Sequence, residues 1–248
     1  MAPAGNALVE IAANSPASAL AAQDGGADRI ELCTALELGG LTPSHGQIAL
    51  ARDRVRLPIH VLIRPRAGDF VYGDMDFEVM LDDVETALAL GCDGVVIGAL
   101  DRDGNIDVAR CRRLIDAARG LDVTFHRAFD VSRDLSRSLE DIIALGCRRV
   151  LTSGAHAGAH AGAATIRRLV DQAGARLVVM PGGGVDAGNV AALRRLTGAR
   201  EFHASAKRRW PSPQPSAPDG LADLSSGELR TDRAGVAALV AALRTAPG

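Results

Sequence analysis

The sequence predicts a single (β/α)8 TIM barrel, and two observations carry that prediction. Eight short apolar stretches, each followed by a segment with helical spacing, alternate along the whole chain, and strict alternation of strand and helix demands a parallel sheet. Several helices also end in a glycine just before the next strand, as in Asp24-Gly25-Gly26-Ala27-Asp28, Leu90-Gly91-Cys92-Asp93 and Leu145-Gly146-Cys147-Arg148. This near-repeat favours one closed ring over two separate domains. The alternative architecture is an open, doubly wound sheet.

Taken in order, the strands are expected at Leu8–Ala12, Asp28–Cys33, Pro58–Ile63, Asp93–Gly98, Leu121–His126, Arg148–Ser153, Arg176–Met180 and Arg200–Ser205. Helical spacing places the intervening segments at Pro16–Gln23, Ile48–Val55, Phe77–Leu90, Val108–Ala118, Leu135–Leu145, Ala163–Ala173 and Ala187–Leu196, with Ala234–Leu243 closing the series. Residues 1–248 are thus read as one domain. Its one irregular stretch is Lys207–Gly227, where Pro211, Pro213, Pro215 and Pro218 stand among Ser, Asp and Gly. No element is expected there, and the stretch is either a disordered insertion or a lid over the barrel mouth.

Composition narrows the function. The 248 residues are 47% hydrophobic with only seven aromatics (five Phe, one Tyr, one Trp), so the core must be built from Val, Ile, Leu and Ala. A net charge of −2 without a basic, aromatic-interleaved stretch argues against nucleic acid. The absence of a long apolar run argues against a membrane span, and the N-terminus lacks a charged start followed by an apolar segment, so a cytoplasmic protein is expected. Four cysteines (Cys33, Cys92, Cys111 and Cys147) lack paired spacing, which argues against a disulfide framework or a thiolate zinc site.

In a barrel, alternate strand residues face the interior. The apolar residues Val9, Ile11, Ile30, Leu32, Ile59, Val61 and Ile63 are assigned outwards, which leaves Glu10, Ala12, Arg29, Glu31, Cys33, His60, Leu62 and Arg64 inwards. Thr124, His126, Glu201, His203 and Ser205 follow them. Parallel strands buried on both faces normally read as unbroken apolar runs. Ionised groups there must pair with one another or hold a ligand. Because such networks rarely improve stability over apolar packing, a polar cavity is the better reading.

Residues at the strand C-termini sharpen this, since that face carries the site in barrel enzymes. They are Glu10 with Asn14, Glu31 with Cys33, Arg64 and Arg66 with Asp69, His126 and Arg127 with Asp130, and His203 with Ser205. Strand seven runs into Met180-Pro181-Gly182-Gly183-Gly184, whose backbone N–H groups are placed to meet an anion.

The stretches Gly26–Cys33, Gly39–Ser44, Ile63–Arg66, Gly68–Phe70, Val123–Asp130, Val150–Gly154 and Met180–Gly184 resemble, in order, the motifs of the CutC family, named for copper homeostasis. The resemblance covers nearly the whole chain up to about Ser205. It implies a cytoplasmic, homo-oligomeric barrel with a role in Cu(I) binding. By that resemblance Cys33 is the candidate metal ligand, while a second ligand cysteine expected at the end of strand one is replaced by Ala12. The family's usual Met-aromatic-Arg-Asn run after strand eight is absent from Lys207–Gly227.

Two functions therefore compete. In one, the chain handles copper without turnover, with Cys33 as its soft ligand. In the other it is a hydrolase, lyase or isomerase acting on a small phosphorylated or carboxylated metabolite. There Glu10, Glu31, His126 and Asp130 are the acid–base candidates. Asn14, Arg29, Arg64, Arg66, Arg127, Gly182, Gly183, His203 and Ser205 are the candidates for holding the small anionic molecule. Asp130 would orient His126 or Arg127, and a hard divalent metal on Glu10, Glu31 and His203 is a further option.

Overall fold

The computed structural model describes residues 7–211 and 227–245. Eight strands run in order as β1 (Leu8–Ala13), β2 (Arg29–Leu32), β3 (Ile59–Leu62), β4 (Gly94–Ile97), β5 (Asp122–Phe125), β6 (Arg149–Thr152), β7 (Val178–Pro181) and β8 (Glu201–Ala204). Their order in the sheet is β7-β6-β5-β4-β3-β2-β1-β8, with every ladder parallel. β7 and β8, at the two ends of that order, lie against each other and nearly close the ring. The helices are α1 (Pro16–Asp24), α2 (His45–Arg54), α3 (Asp74–Ala89), α4 (Val108–Ala118), α5 (Leu135–Leu145), α6 (Ala163–Ala173), α7 (Val190–Thr197) and α8 (Arg233–Thr245).

The recurrent segment before each strand has a physical basis. Gly146 stops α5 at φ 83°, a left-handed turn that other residues enter at a cost. The aspartates that follow the glycines serve the sheet. Asp28 accepts the Val9 N–H at 2.8 Å, and Asp93 accepts the Ile59 N–H at 2.8 Å together with Arg52 at 2.6 Å. Asp93 thereby satisfies the first donor of β3 and Asp28 the second donor of β1, near the start of each strand.

Period-two alternation separates two apolar compartments. Outward residues such as Val9, Ile11, Ile30 and Val95 pack with Leu114, Ile142 and Leu239 of the helices in one continuous core. Inside the ring, among the described residues, Ala12, Cys33, Leu62 and Val96 form a small apolar cluster, and Leu151 and Met180 stand among the buried charges that fill much of the rest.

Residues 207–227 depart from expectation at their edges. Lys207–Trp210 form a strand, β9, paired antiparallel with β10 (Glu228–Thr231). The first strand of this hairpin carries no hydrophobic alternation, since all four of its residues are exposed. The rest of the Pro-rich stretch, where a lid was considered, lies outside the described residues. Among the described residues no helix is long and apolar enough to cross a membrane.

Candidate active site at the barrel mouth

Register stacks the interior charges in layers. Glu10 on β1 stands opposite Arg29 on β2 and His203 on β8, and Glu31 on β2 stands one step nearer the C-terminal face, opposite Ala12. At the floor, Arg29 binds Glu10 through Nε and Glu201 through Nη2 at 2.6 Å. Arg149 reaches Glu201 at 3.2 Å, Asp122 at 3.4 Å and the Thr124 hydroxyl at 3.3 Å. Opposed charges are satisfied here almost atom by atom.

Above that floor, Glu10 Oε1 lies 2.9 Å from His203 Nδ1, and His203 Nε2 lies 3.5 Å from Glu31 Oε2. Burial would raise the Glu10 carboxyl, but Arg29 and His203 outweigh it and hold it well below the usual carboxylate range. Glu31 has no arginine bonded to it. Its burial, reinforced by the charge on Glu10, pushes its carboxyl up to about 7. Burial disfavours the His203 cation, yet Glu31 and Glu10 together raise its pKa. Glu31 and His203 thus face each other as a coupled acid–base pair, with Glu10 holding the imidazole through Nδ1.

The strands open at their C-terminal ends into a cavity of about 600 Å³. Glu31, Cys33, Arg64, His126, Arg127, Asp130, Gly183, His203 and Ser205 line it, so nine of the residues singled out from sequence meet on one wall. Others stand elsewhere. Glu10 and Arg29 sit beneath it in the ion network, so Arg29 is committed to carboxylates and does not face a ligand. Asn14 donates to the Leu229 carbonyl at 2.6 Å and accepts from Ser18 at 2.9 Å, tying β10 to the barrel. Arg66 turns outward to Asp69 (3.0 Å) and Asp76 (2.9 Å). Gly182 packs where a Cβ would stand 2.4 Å from a Leu151 methyl.

Two acid–base candidates change role. Asp130 accepts from the Thr152 hydroxyl, the N–H groups of Ser153 and Ala155 (3.0 Å each) and Arg127 Nε (2.8 Å). With the Ser153 hydroxyl also donating at 3.0 Å, five donors surround the carboxylate and fix its plane. Asp130 therefore positions Arg127, whose Nη2 also donates to Ser153 Oγ at 2.8 Å, and it does not touch His126. The His126 Nδ1 accepts the Ala128 N–H at 3.1 Å, and burial, with Arg64 adding to it, lowers the ring's pKa to about 3. A ring that stays neutral at pH 7 with its hydrogen on Nε2 is a hydrogen-bond donor, not a base.

Sequence reasoning missed Lys207 and Phe70 on the cavity wall and the part played by Thr152 and Ser153. A signal was present for the last two, which lie in the Val150–Gly154 motif. None marked Lys207, whose ladder partner is Thr231, beyond the Pro-rich stretch.

The metal question turns on donors. Cys33 is fully buried and its thiol contacts the Ala13 carbonyl at 3.7 Å. Burial, then the nearby Glu31, push its pKa well up, so the thiolate that Cu(I) prefers is disfavoured. Ala12 beside it offers no ligand, Met180 Sδ accepts from Arg29 at 3.4 Å, and Cys92, Cys111 and Cys147 lie in the outer helix–strand layer. The residues present do not fit Cu(I). Glu10, Glu31 and His203 each bring a ligand atom within 4.8 Å of the others, but Arg29 already neutralises Glu10.

Comparisons agree with this architecture. The CutC family model matches residues 7–208. A CutC family protein of Xanthomonas campestris pv. campestris is 56% identical over 238 residues, covering 96% of this chain and 99% of the relative. A Bacteroides fragilis relative is 48% identical over 82% of this chain and 81% of its own length. Among solved structures, a Streptococcus agalactiae protein whose copper-homeostasis role is carried in its name superposes with a TM-score of 0.76 at 34% identity, over 79% of this chain and 97% of that one. Thiamine phosphate pyrophosphorylase from Pyrococcus furiosus, 16% identical, matches with a TM-score of 0.59 over 98% and 97% of the two chains and shares the fold.

Proposed function

The chain belongs to the CutC family, and on that premise we propose that its barrel mouth binds a small anionic metabolite and transforms it by proton transfer, with no part for copper. One observation carries the reading: the buried Glu31 carboxylate 3.5 Å from His203 Nε2, with Glu10 gripping Nδ1, beneath a cavity that also presents Arg127 and Lys207. An acid–base pair poised near pH 7 serves catalysis better than stability, because apolar residues would pack the same space without the cost of burying charge. Arg127 is the anion-binding group. Asp130 and Ser153 fix the plane of its guanidinium, which is then pre-organised for a carboxylate or phosphate. Cys33 contributes packing against Leu62 and Ala12.

A panel of phosphorylated and carboxylated metabolites, screened by thermal shift against wild type and Arg127→Ala, tests this. At least one compound is expected to raise the wild-type melting temperature and to lose that effect in the variant, and Glu31→Gln is expected to bind it without turning it over. A panel without any such compound, together with tight Cu(I) binding that disappears in Cys33→Ala, would reverse the assignment.

A further inference from the structure

Arg64 and His126 carry two hydrogens on the cavity wall that no protein group accepts. Arg64, just beyond β3, donates Nη1 to the carbonyls of Leu38 and Gly40 (2.8 Å each) and Nη2 to that of Gly68 (3.0 Å), which locks its guanidinium plane. Its Nε–H is buried and unclaimed. In His126 the bond from Ala128 N–H to Nδ1 places the ring hydrogen on Nε2, and that atom is also buried without a partner. Both side chains pack on Phe70: the Arg64 guanidinium carbon lies 5.1 Å from its ring centroid and the His126 ring 5.0 Å from it. Both side chains are more than nine-tenths buried, at 7% and 5% exposure.

A buried N–H without an acceptor is costly, and native structures keep few of them. Two such donors, flanking one aromatic ring on the wall of a cavity that also holds a carboxylate, have the form of an oxyanion site. A neutral imidazole is suited to polarising a carbonyl, because it donates a hydrogen bond without surrendering a proton.

We propose that Arg64 Nε–H and His126 Nε2–H form a cradle for a carbonyl oxygen, and that the mouth abstracts a proton from the carbon beside that carbonyl. This rests on the reading of the mouth as an anion-binding, acid–base site. The C–H bond breaks and its proton passes to the Glu31 carboxylate. The C–H electron pair forms a carbon–carbon double bond as the carbonyl π pair moves onto oxygen, where the two donors hold the negative charge. For a hydroxy-carbonyl substrate, the proton returns from Glu31 to the former carbonyl carbon while the hydroxyl hydrogen passes between the two oxygens. The isomerisation is then complete without a co-reactant. The substrate class is a small carbonyl compound with an adjacent C–H and an anionic group for Arg127.

Oxalate, a planar dianion with the oxygen arrangement of an enediolate, is the probe. Nitrogen-15 NMR of the full chain between pH 5 and 9 is expected to find His126 protonated on Nε2 only, with that N–H moving downfield when oxalate is added. Calorimetric titration is expected to give oxalate affinity about 10-fold or more weaker in His126→Phe and in Arg64→Lys, the loss of one hydrogen bond to a charged acceptor. If His126→Phe binds oxalate like wild type and the Nε2–H resonance does not move, while Arg127→Ala abolishes binding, the cradle is wrong and the anion site stands. If wild type binds no oxalate, both readings fall. The NMR measurement needs no variant, so it decides the matter even where a substitution prevents folding.

Discussion

The floor and the mouth of this barrel are built from the same residue types, and they differ in how completely those residues are satisfied. At the floor, Arg29 and Arg149 share Glu10, Glu201, Asp122 and Thr124 among them. At the mouth, Arg64 and His126 keep a donor each, and Glu31 has a histidine at 3.5 Å where Glu10 has an arginine. The difference separates architecture from function. A buried charge whose partners are all protein groups closes the barrel, whereas one left open over a cavity keeps its binding free energy for a ligand. His60 stands between the two regimes: its Nδ1 has no partner, and burial lowers its pKa to about 4, so it is a neutral ring in the interior.

The sharpest way to break this comparison is to remove one floor arginine. Arg29→Leu leaves Glu10 and Glu201 facing each other in the interior, and loss of one partner of a buried pair typically costs about 3–5 kcal/mol. Arg127→Ala at the mouth removes a half-exposed side chain and is expected to cost no more than about 1 kcal/mol, like other solvent-screened pairs. Urea denaturation of the two variants checks the contrast. Equal midpoints would mean that floor and mouth are energetically alike.

How much of this the sequence disclosed follows from the range of the interactions. Strand and helix periods are local, so the sequence alone predicts α4, α5 and α6 within the bounds at which they occur, and alternation alone turns Glu10, Glu31 and His203 inward. Which inward groups are satisfied depends on partners far away in sequence. Asn14 is claimed by Leu229 at a separation of 215 residues, and Arg29 by Glu201 at 172. Arg66 stands next but one to Arg64 in sequence, yet Asp69 of its own loop and Asp76 of α3 hold it outward. The β9–β10 hairpin was invisible because Lys207–Trp210 bury nothing and their partner strand lies beyond the prolines.

A smaller effect comes from the space that Gly94 of β4 and Gly98 just beyond it leave for the two imidazoles. A Cβ on Gly98 would stand 2.5 Å from His126 Cε1, and one on Gly94 would stand 2.7 Å from His60 Nε2. Gly98→Ala is expected to destabilise by about 1–3 kcal/mol, the usual cost of overpacking. It should also displace His126 from its bond with Ala128, which moves the Nδ1 resonance. Gly94→Ala should cost a similar amount and leave oxalate binding untouched, since His60 does not line the cavity. If both substitutions weaken oxalate equally, the mouth is coupled to the floor and the two are not separate devices.

The finest distinction is in the pH dependence of the two glutamates. Glu31 has a carboxyl raised from 4.5 to about 7, burial being the main cause. Between those values the folded chain binds more protons than the unfolded one, so Glu31's contribution is fully present below pH 4.5 and is lost as pH rises to 7. Glu10 is shifted the other way, below its ordinary value of 4.5, so its contribution is present above pH 4.5 and is lost only on strong acidification. Glu31→Gln should therefore remove the fall in stability across pH 4.5–7 and leave the variant more stable than wild type at pH 8 by about 3 kcal/mol, the worth of the shift from 4.5 to about 7. Glu10→Gln should be less stable than wild type throughout that range, because Arg29 and His203 both lose the charge of Glu10. Denaturant midpoints measured at pH 5, 6, 7 and 8 decide it: if both variants lose stability in parallel, Glu31 is an ion-pair residue like those at the floor, and its place as the proton acceptor of the mouth is lost.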